Sequence, residues 1–410
     1  MTSSTEVKFI LLASEWGSKR GGLSTFNRVL AIELAKHSKA HVSVFVPRCD
    51  QAEIDDAKNK GVALIQAESR PGFDENDWLC FLPDDLQVDV VIGHGVVLGR
   101  QAQIIRKLRR CKWIQFVHTD PEELGMFKDY PDPIEKGEKK HQTEVELCAM
   151  ADFVVAVGPK LADAYRQYLR SHDKDQHVFD LTPGIFDEFS GVKQATQDGN
   201  NCRVLAFGRG DAEDFKLKGF DIAAKAVGQL QDAILIFVGA GNKQQDGVAN
   251  NLKQCDIPSE RLRVRKFVES REELRKLFRE VDVAIMPSRT EGFGLTALEA
   301  LSAGLPVLVG GNSGFGKALS KVPFGSGYVI QSEDPKVWAE EIKKVWAKDR
   351  KTRLEESDEL RKSYAKKHSW TNQCNDLVEH ALDIVTGMKQ AETVNSHIFI
   401  HNLTSKFDPC

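Results

Sequence analysis

No stretch of the chain approaches the roughly 20 consecutive apolar residues that cross a bilayer as a helix, so no integral membrane segment is expected. Cysteine is scattered: the eight residues at 49, 80, 111, 148, 202, 255, 374 and 410 lie at least 31 positions from one another. That spacing offers neither a CxxC metal knuckle nor a dense disulfide framework, and it fits a reducing compartment. A basic excess is also missing. Lys and Arg number 56 against 60 Asp and Glu, a formal net charge of −4, whereas a nucleic-acid binder would carry a surplus of cations. The N-terminal segment has Glu6 where a secretory signal needs basic residues, and it is continuously apolar only over 9–13. A soluble, cytoplasmic protein is expected.

What is present is an average globular composition, 41% hydrophobic and 28% charged over 410 residues, long enough for two domains with substantial cores. Short apolar runs at 7–13, 42–46, 62–65, 88–92, 113–117, 153–157 and 178–181 read as strands, with helical periodicity between them. After the polar stretch 191–201 the alternation restarts, with strands at 204–207, 234–238, 262–264, 283–286 and 307–309. Strands apolar on both faces and separated by helices build parallel sheets. The expected class is therefore α/β, with two doubly wound Rossmann-like domains facing across a cleft. The first spans 1–185, with a returning helix near 371–390, and the second spans 186–370. Residues 391–410 read as a tail. Ligands of such sheets bind beyond the carboxyl ends of the strands, so the chemistry belongs in the loops that follow them.

Three loops carry it. The first strand runs into a glycine pair, Gly21-Gly22, ahead of a helix, which is either an anion seat or an ordinary strand-to-helix turn. After the strand at 204–207 come Gly208-Arg209 and, further on, Lys216, Lys218 and Gly219. The densest pattern is Met286-Pro-Ser-Arg-Thr-Glu291-Gly-Phe-Gly-Leu-Thr-Ala-Leu-Glu299. There a strand stops at Pro287 and two glycines open the backbone. A helix then begins near Leu295, so its first amides face outward as an anion seat, and Glu299 lies one turn in.

This last segment resembles the E-x7-E signature of glycosyltransferase family 4, a retaining family of GT-B fold. Gly21-Gly22, Val117-His118, Thr182-Pro183-Gly184 and the Arg209/Lys218 pair are similar to its other motifs, so the resemblance covers nearly the whole chain. It implies a retaining transferase of hexose-type sugars that uses a nucleotide sugar, UDP-linked, as co-substrate, with no cofactor and no metal. Carried onto this sequence, Glu299 would hold the ribose hydroxyls and Glu291 the transferred sugar. Phe293, Gly294 and Leu295 would contact phosphate or sugar through their backbone, and Gly22 would border the donor. Arg209 and Lys218 would neutralise the diphosphate, and His118 would line the acceptor side. The acceptor is unassigned. A nucleotide-sugar epimerase of the same fold, or a non-catalytic nucleotide-sugar sensor, is the alternative.

Other motifs favour plainer readings. Gly311 to Lys317 matches most of a P-loop, but Ala318 stands where Ser or Thr would hold Mg²⁺, so these glycines read as a flexible loop lining the cleft. The lone Asp-x-Asp, at 173–175, falls in a charged helix-to-strand loop, so no metal is assigned. His94 reads as a satisfied structural residue. The cations at 100, 106, 107, 109, 110 and 112 accompany Leu98, Ala102, Ile105 and Leu108 at core-facing spacing. A solvated helix face is favoured there over a peripheral membrane contact.

Overall fold

The computed structural model describes residues 6–18, 21–241, 244–268 and 270–404, with side chains as far as 387. Strands β1 (Val7–Leu12), β2 (Ala40–Val46), β3 (Ala63–Gln66), β4 (Val90–His94), β5 (Lys112–Val117), β6 (Phe153–Val157) and β7 (Val178–Leu181) form one sheet in the order β3-β2-β1-β4-β5-β6-β7. A second sheet holds β8 (Cys202–Phe207), β9 (Ala233–Ala240), β10 (Leu262–Lys266), β11 (Val283–Met286), β12 (Val307–Gly310) and β13 (Val329–Ile330) in the order β10-β9-β8-β11-β12-β13. Every run expected from the sequence is a strand. The addition is β13, whose two residues are too short for a pattern to register. The parallel pairing explains the composition: β6 and β11 are buried at every position, because helices cover both faces. Edge strand β10 instead turns Arg263, Arg265 and Lys266 toward solvent, and cations on an edge discourage pairing with another chain.

Both sheets reverse winding direction at their middle. β1 pairs in parallel with β2 on one side and β4 on the other. β8 does the same between β9 and β11. At such a switch point adjacent loops diverge to opposite faces and leave a crevice at the strand ends. In the second sheet that crevice lies between the loop after β8 and the loop after β11. Its walls rest on a core that includes Phe220 and Phe237, edge to face at 4.8 Å, and the fully buried Trp338.

Two compact units are present, one made of Met1–Gly17, Ser24–Gln115 and Thr371–Cys410, the other of Ser18–Leu23 and Phe116–Trp370. Within the first, Thr371 donates to Glu33 at 3.3 Å and Lys39 pairs with Glu379 at 2.9 Å, tying down the start of the last helix, Trp370–Thr404. The side chains of the expected tail and all of residues 405–410 lie outside the described residues. No helix among the described residues is long and apolar enough to cross a membrane. On the basic helix Gly95–Arg109, Leu98, Ala102 and Ile105 are buried as their spacing requires, but Leu108 is 63% exposed. It sits one turn past the exposed Ile104, outside the arc of the inward stripe.

Candidate functional site

All of the site described here lies in the unit formed by Ser18–Leu23 and Phe116–Trp370. Pro287 ends β11, and the chain turns through 288–294 into the helix Leu295–Ser302. Gly294 caps that helix at φ 104°, a left-handed conformation, and supplies no side chain to the first-turn amides. Those amides have no acceptor within the helix. A methyl group on Gly292 would fall 2.0 Å from the His118 carbonyl oxygen, so only glycine allows the loop to lie against the end of β5. The Phe293 side chain is buried against Phe315, and its carbonyl accepts the Phe315 amide at 2.7 Å. Glu291 is anchored by its amide, which donates to the Asn312 carbonyl at 3.1 Å.

Glu291 carries the first ion pair. Lys218 Nζ donates to its Oε2 at 2.6 Å, and Ser288 Oγ lies 3.4 Å from the same oxygen. Lys218 reaches it from the loop after β8, across the switch point. Lys216, the competing cation in the sequence, is exposed, and its carbonyl accepts from Arg289. Arg209 follows Gly208 at the end of β8, and its guanidinium lies 3.6 Å from where a Gly21 side chain would begin. The side chain of Leu295 stands in the same way 3.3 Å from Gly22. The structure thus gathers the glycine pair, Arg209, Lys218, Glu291 and the helix N-terminus around one crevice; Lys19 and Arg20 lie outside the described residues. The long loop between the two cations is pinned elsewhere in the unit, where the Asp129 amide donates to the Glu213 carbonyl at 3.1 Å and Lys128 pairs with Asp214 at 3.1 Å.

Glu299 has different neighbours. It is 6% exposed, and Arg271 Nη1 donates to its Oε1 at 2.7 Å. Burial raises the pKa of this carboxyl above its ordinary value, and the guanidinium beside it opposes that rise. Arg271 is a neighbour that sequence reasoning missed: it lies 28 positions away in a charged helix, Arg271–Glu280, with nothing to distinguish it from Arg275 or Arg279. Lys160 was missed for the same reason. It is buried, and its Nζ lies 2.6 Å from Thr290 Oγ1, 2.7 Å from Glu123 and 3.1 Å from the Asn312 carbonyl, bracing the loop that carries Glu291.

His118 stands at the end of β5, its ring stacked at 6.3 Å on Phe116. Although the residue is partly exposed, burial of the ring drives its pKa down to about 3. The imidazole is neutral at working pH, a hydrogen-bonding group and not a charge. His94 belongs to the other unit and is buried, with Nε2 3.1 Å from Asn27 Oδ1, the structural role expected of it. The P-loop-like glycines are not the flexible loop expected. Ser313 caps the helix Gly314–Leu319 through the Gly316 amide at 2.9 Å, and residues 313–316 are buried. Gly314 is pressed against the Gly292 carbonyl, so close packing explains these glycines. Asp173, exposed, follows the short 3-10 turn Arg170–His172, and Asp175, half-exposed, opens the next, Asp175–His177. A separate cavity of about 170 Å³, lined by Lys193, Arg275, Lys276 and Arg279 among others, includes none of the expected site residues.

Two parallel-sheet α/β halves with these loops at a switch point are the architecture of a GT-B glycosyltransferase. The chain belongs to the family described as family 4 glycosyltransferases in conflict systems, whose model matches residues 10–377. It is 27% identical to the D-inositol 3-phosphate glycosyltransferase of Corynebacterium urealyticum over 314 residues, 72% of this chain and 71% of that protein. The sucrose-phosphate synthase of Thermosynechococcus elongatus shares the fold with a TM-score of 0.65 at 17% identity, covering 95% of this chain and 100% of that one. HepE of Anabaena, solved in complex with UDP-glucose, gives a TM-score of 0.64 at 14% identity over 93% of this chain and 100% of that one.

Proposed function

We propose that this protein is a retaining hexosyltransferase that takes its sugar from a nucleotide-sugar donor, UDP-linked, and passes it to an acceptor without a metal ion. The observation that carries the reading is the Lys218–Glu291 pair at 2.6 Å beside the uncapped helix N-terminus at Gly294. In this reading the diphosphate lies between Arg209, Lys218 and the amides of Gly294 and Leu295. Its charge grows as the glycosidic bond breaks, and fixed cations and oriented amides stabilise that growth with no reorganisation. Glu291, oriented by Lys218, receives hydroxyls of the transferred sugar, and Glu299 receives those of the ribose. Neutral His118 donates or accepts one hydrogen bond at the sugar's other side. With no carboxylate assigned as a nucleophile, the acceptor attacks on the face the diphosphate leaves, and the departing phosphate takes its proton.

The test is release of nucleoside diphosphate from UDP-glucose, UDP-N-acetylglucosamine and GDP-mannose in excess EDTA, with D-inositol 3-phosphate among the first acceptors because the curated relative is named for it. Turnover of a UDP donor in EDTA, with the product's anomeric configuration retained by NMR, is expected. Loss of activity restored only by Mg²⁺ or Mn²⁺ would remove the metal-free step. Donor binding without any transfer or hydrolysis would turn the reading toward a sensor.

A further inference from the structure

Arg271 is held from three sides. Its Nη1 donates to Glu299 at 2.7 Å, its Nε donates to Glu188 Oε1 at 3.0 Å, and Nη2 bonds the same Glu188 oxygen. Beneath the guanidinium lies the ring of Phe189, 4.8 Å to its centroid and wholly buried. Glu188 and Phe189 belong to one 3-10 turn, Asp187–Phe189, which is fixed in turn because the Glu188 carbonyl accepts from Arg275 at 2.9 Å. One cation therefore serves two carboxylates. Only Oε1 of Glu299 is engaged by Arg271, which leaves the other oxygen outside that contact. Arg361, on the helix Arg350–Lys367, binds the Ser302 carbonyl at the end of the Glu299 helix and pairs with Asp358.

We propose that Arg271 is a positioning residue for the donor: clamped by Glu188 and Phe189, it aims the Glu299 carboxylate at the ribose diol, so that Glu188, Arg271 and Glu299 recognise ribose as one unit. The proposal rests on the reading that Glu299 receives the ribose. It follows from the geometry, because a guanidinium bound on both edges and stacked on a ring is held in one orientation and restricts the carboxylate oxygen it binds. A buried carboxylate deprived of that partner would also take up a proton more readily, exchanging one of its acceptor oxygens for a donor.

Calorimetry compares UDP and 2′-deoxy-UDP binding to the whole protein, to Glu299→Gln, to Arg271→Met and to Arg271→Lys. In Arg271→Met, UDP affinity should fall about tenfold or more, the equivalent of one charge-assisted hydrogen bond, and the fall should shrink to a few-fold for 2′-deoxy-UDP. UDP affinity of Arg271→Met should also decline more steeply from pH 8 to pH 6 than that of the wild type, whose own decline reports protonation of the UDP terminal phosphate, and Arg271→Lys should recover part of the loss. Equal weakening of both nucleotides with no pH dependence beyond that of the wild type would mean that Arg271 only holds the fold, and would overturn the proposal. If Glu299→Gln weakens UDP but Arg271→Met does not, the proposal fails and the ribose assignment stands. If Glu299→Gln leaves UDP affinity untouched, the ribose assignment itself is wrong.

Discussion

Two glutamates in the same unit are almost equally buried but have different partners. Glu299 is 6% exposed and has the Arg271 guanidinium at 2.7 Å. Glu144, on the helix Pro133–Met150, is 2% exposed and packs beside Cys148 and Tyr165 with no cation bound to it among the described residues. Burial, helped by the negative charge of Asp120, pushes the Glu144 pKa up to about 7; the attraction of Lys140 and a hydrogen bond from Tyr165 offset only part of the rise. Burial acts on Glu299 as well, but a matched guanidinium opposes it. A carboxylate that must present acceptor oxygens to a ligand needs a fixed counter-charge, whereas one that only fills space can take a proton. Burial of an acid therefore does not by itself mark a ligand-binding group in this protein; the groups that face it have to be read as well.

The comparison breaks most visibly at the crevice cations. Arg209→Ala and Lys218→Ala should each lower turnover about 10²- to 10³-fold, the usual cost of removing one group that stabilises developing charge, and should weaken nucleoside diphosphate binding as well. Steady-state kinetics and calorimetry read the two effects. Activity within threefold of wild type in both variants would mean that the diphosphate lies elsewhere. At the paired glutamates the effects should separate. Glu299→Gln should cost about 1–3 kcal/mol of nucleotide affinity, while Glu291→Gln should lower turnover more than affinity, because it faces the bond that breaks. Tight nucleotide binding by Glu299→Gln together with its loss in Glu291→Gln would reverse the two roles.

Glu144 sharpens the other side of the comparison through stability. Its pKa rises from 4.5 to about 7 on folding, so between those values the folded chain binds a proton that the unfolded chain has released. Stability from this residue is complete below pH 4.5 and is lost as pH climbs through 7, with a slope of at most about 1.4 kcal/mol per pH unit. Glu144→Gln keeps the hydrogen-bonding shape without the titration. Its urea midpoint should vary less between pH 5 and 7.5 than that of the wild type, with nucleotide affinity unchanged. An identical pH profile for the two proteins would show that Glu144 is solvated and ionised in the folded state.

The sheets were legible because parallel strands must be apolar on both faces, a pattern that runs of Val, Ile, Leu and Phe announce without any partner information. The E-x7-E loop was legible because a strand stop, two glycines and a helix start constrain one another within a few residues. The partners that complete the site were not. Arg271, Glu188 and Lys160 meet their targets across 28 to 152 positions, and local spacing carries no signal of such contacts. The flexible reading of 311–317 failed for a related reason: glycine marks both mobile loops and close packing, and only the carbonyl of Gly292 pressing on Gly314 decides between them.

The smallest expected effect tests the assignment the sequence left open, between Lys216 and Lys218. Both lie in the long loop after β8, two positions apart, and either could reach a diphosphate by composition alone. The structure directs Lys218 onto Glu291 at 2.6 Å, whereas the Lys216 side chain is exposed and its carbonyl accepts from Arg289 and from the Gly219 amide. An exposed lysine acts on an anionic donor mainly through long-range attraction, which salt screens beyond roughly 10 Å at 0.1 M ionic strength. Lys216→Ala should therefore reduce kcat/KM by about twofold at low salt, and the difference should vanish near 0.5 M salt, where the Debye length is only a few ångströms. Lys218→Ala should keep its full defect at both salt concentrations, because its cation acts at contact distance on Glu291 and the donor. If instead Lys216→Ala shows the large, salt-independent loss and Lys218→Ala the small one, Lys216 is the diphosphate cation and Lys218 serves only to hold Glu291.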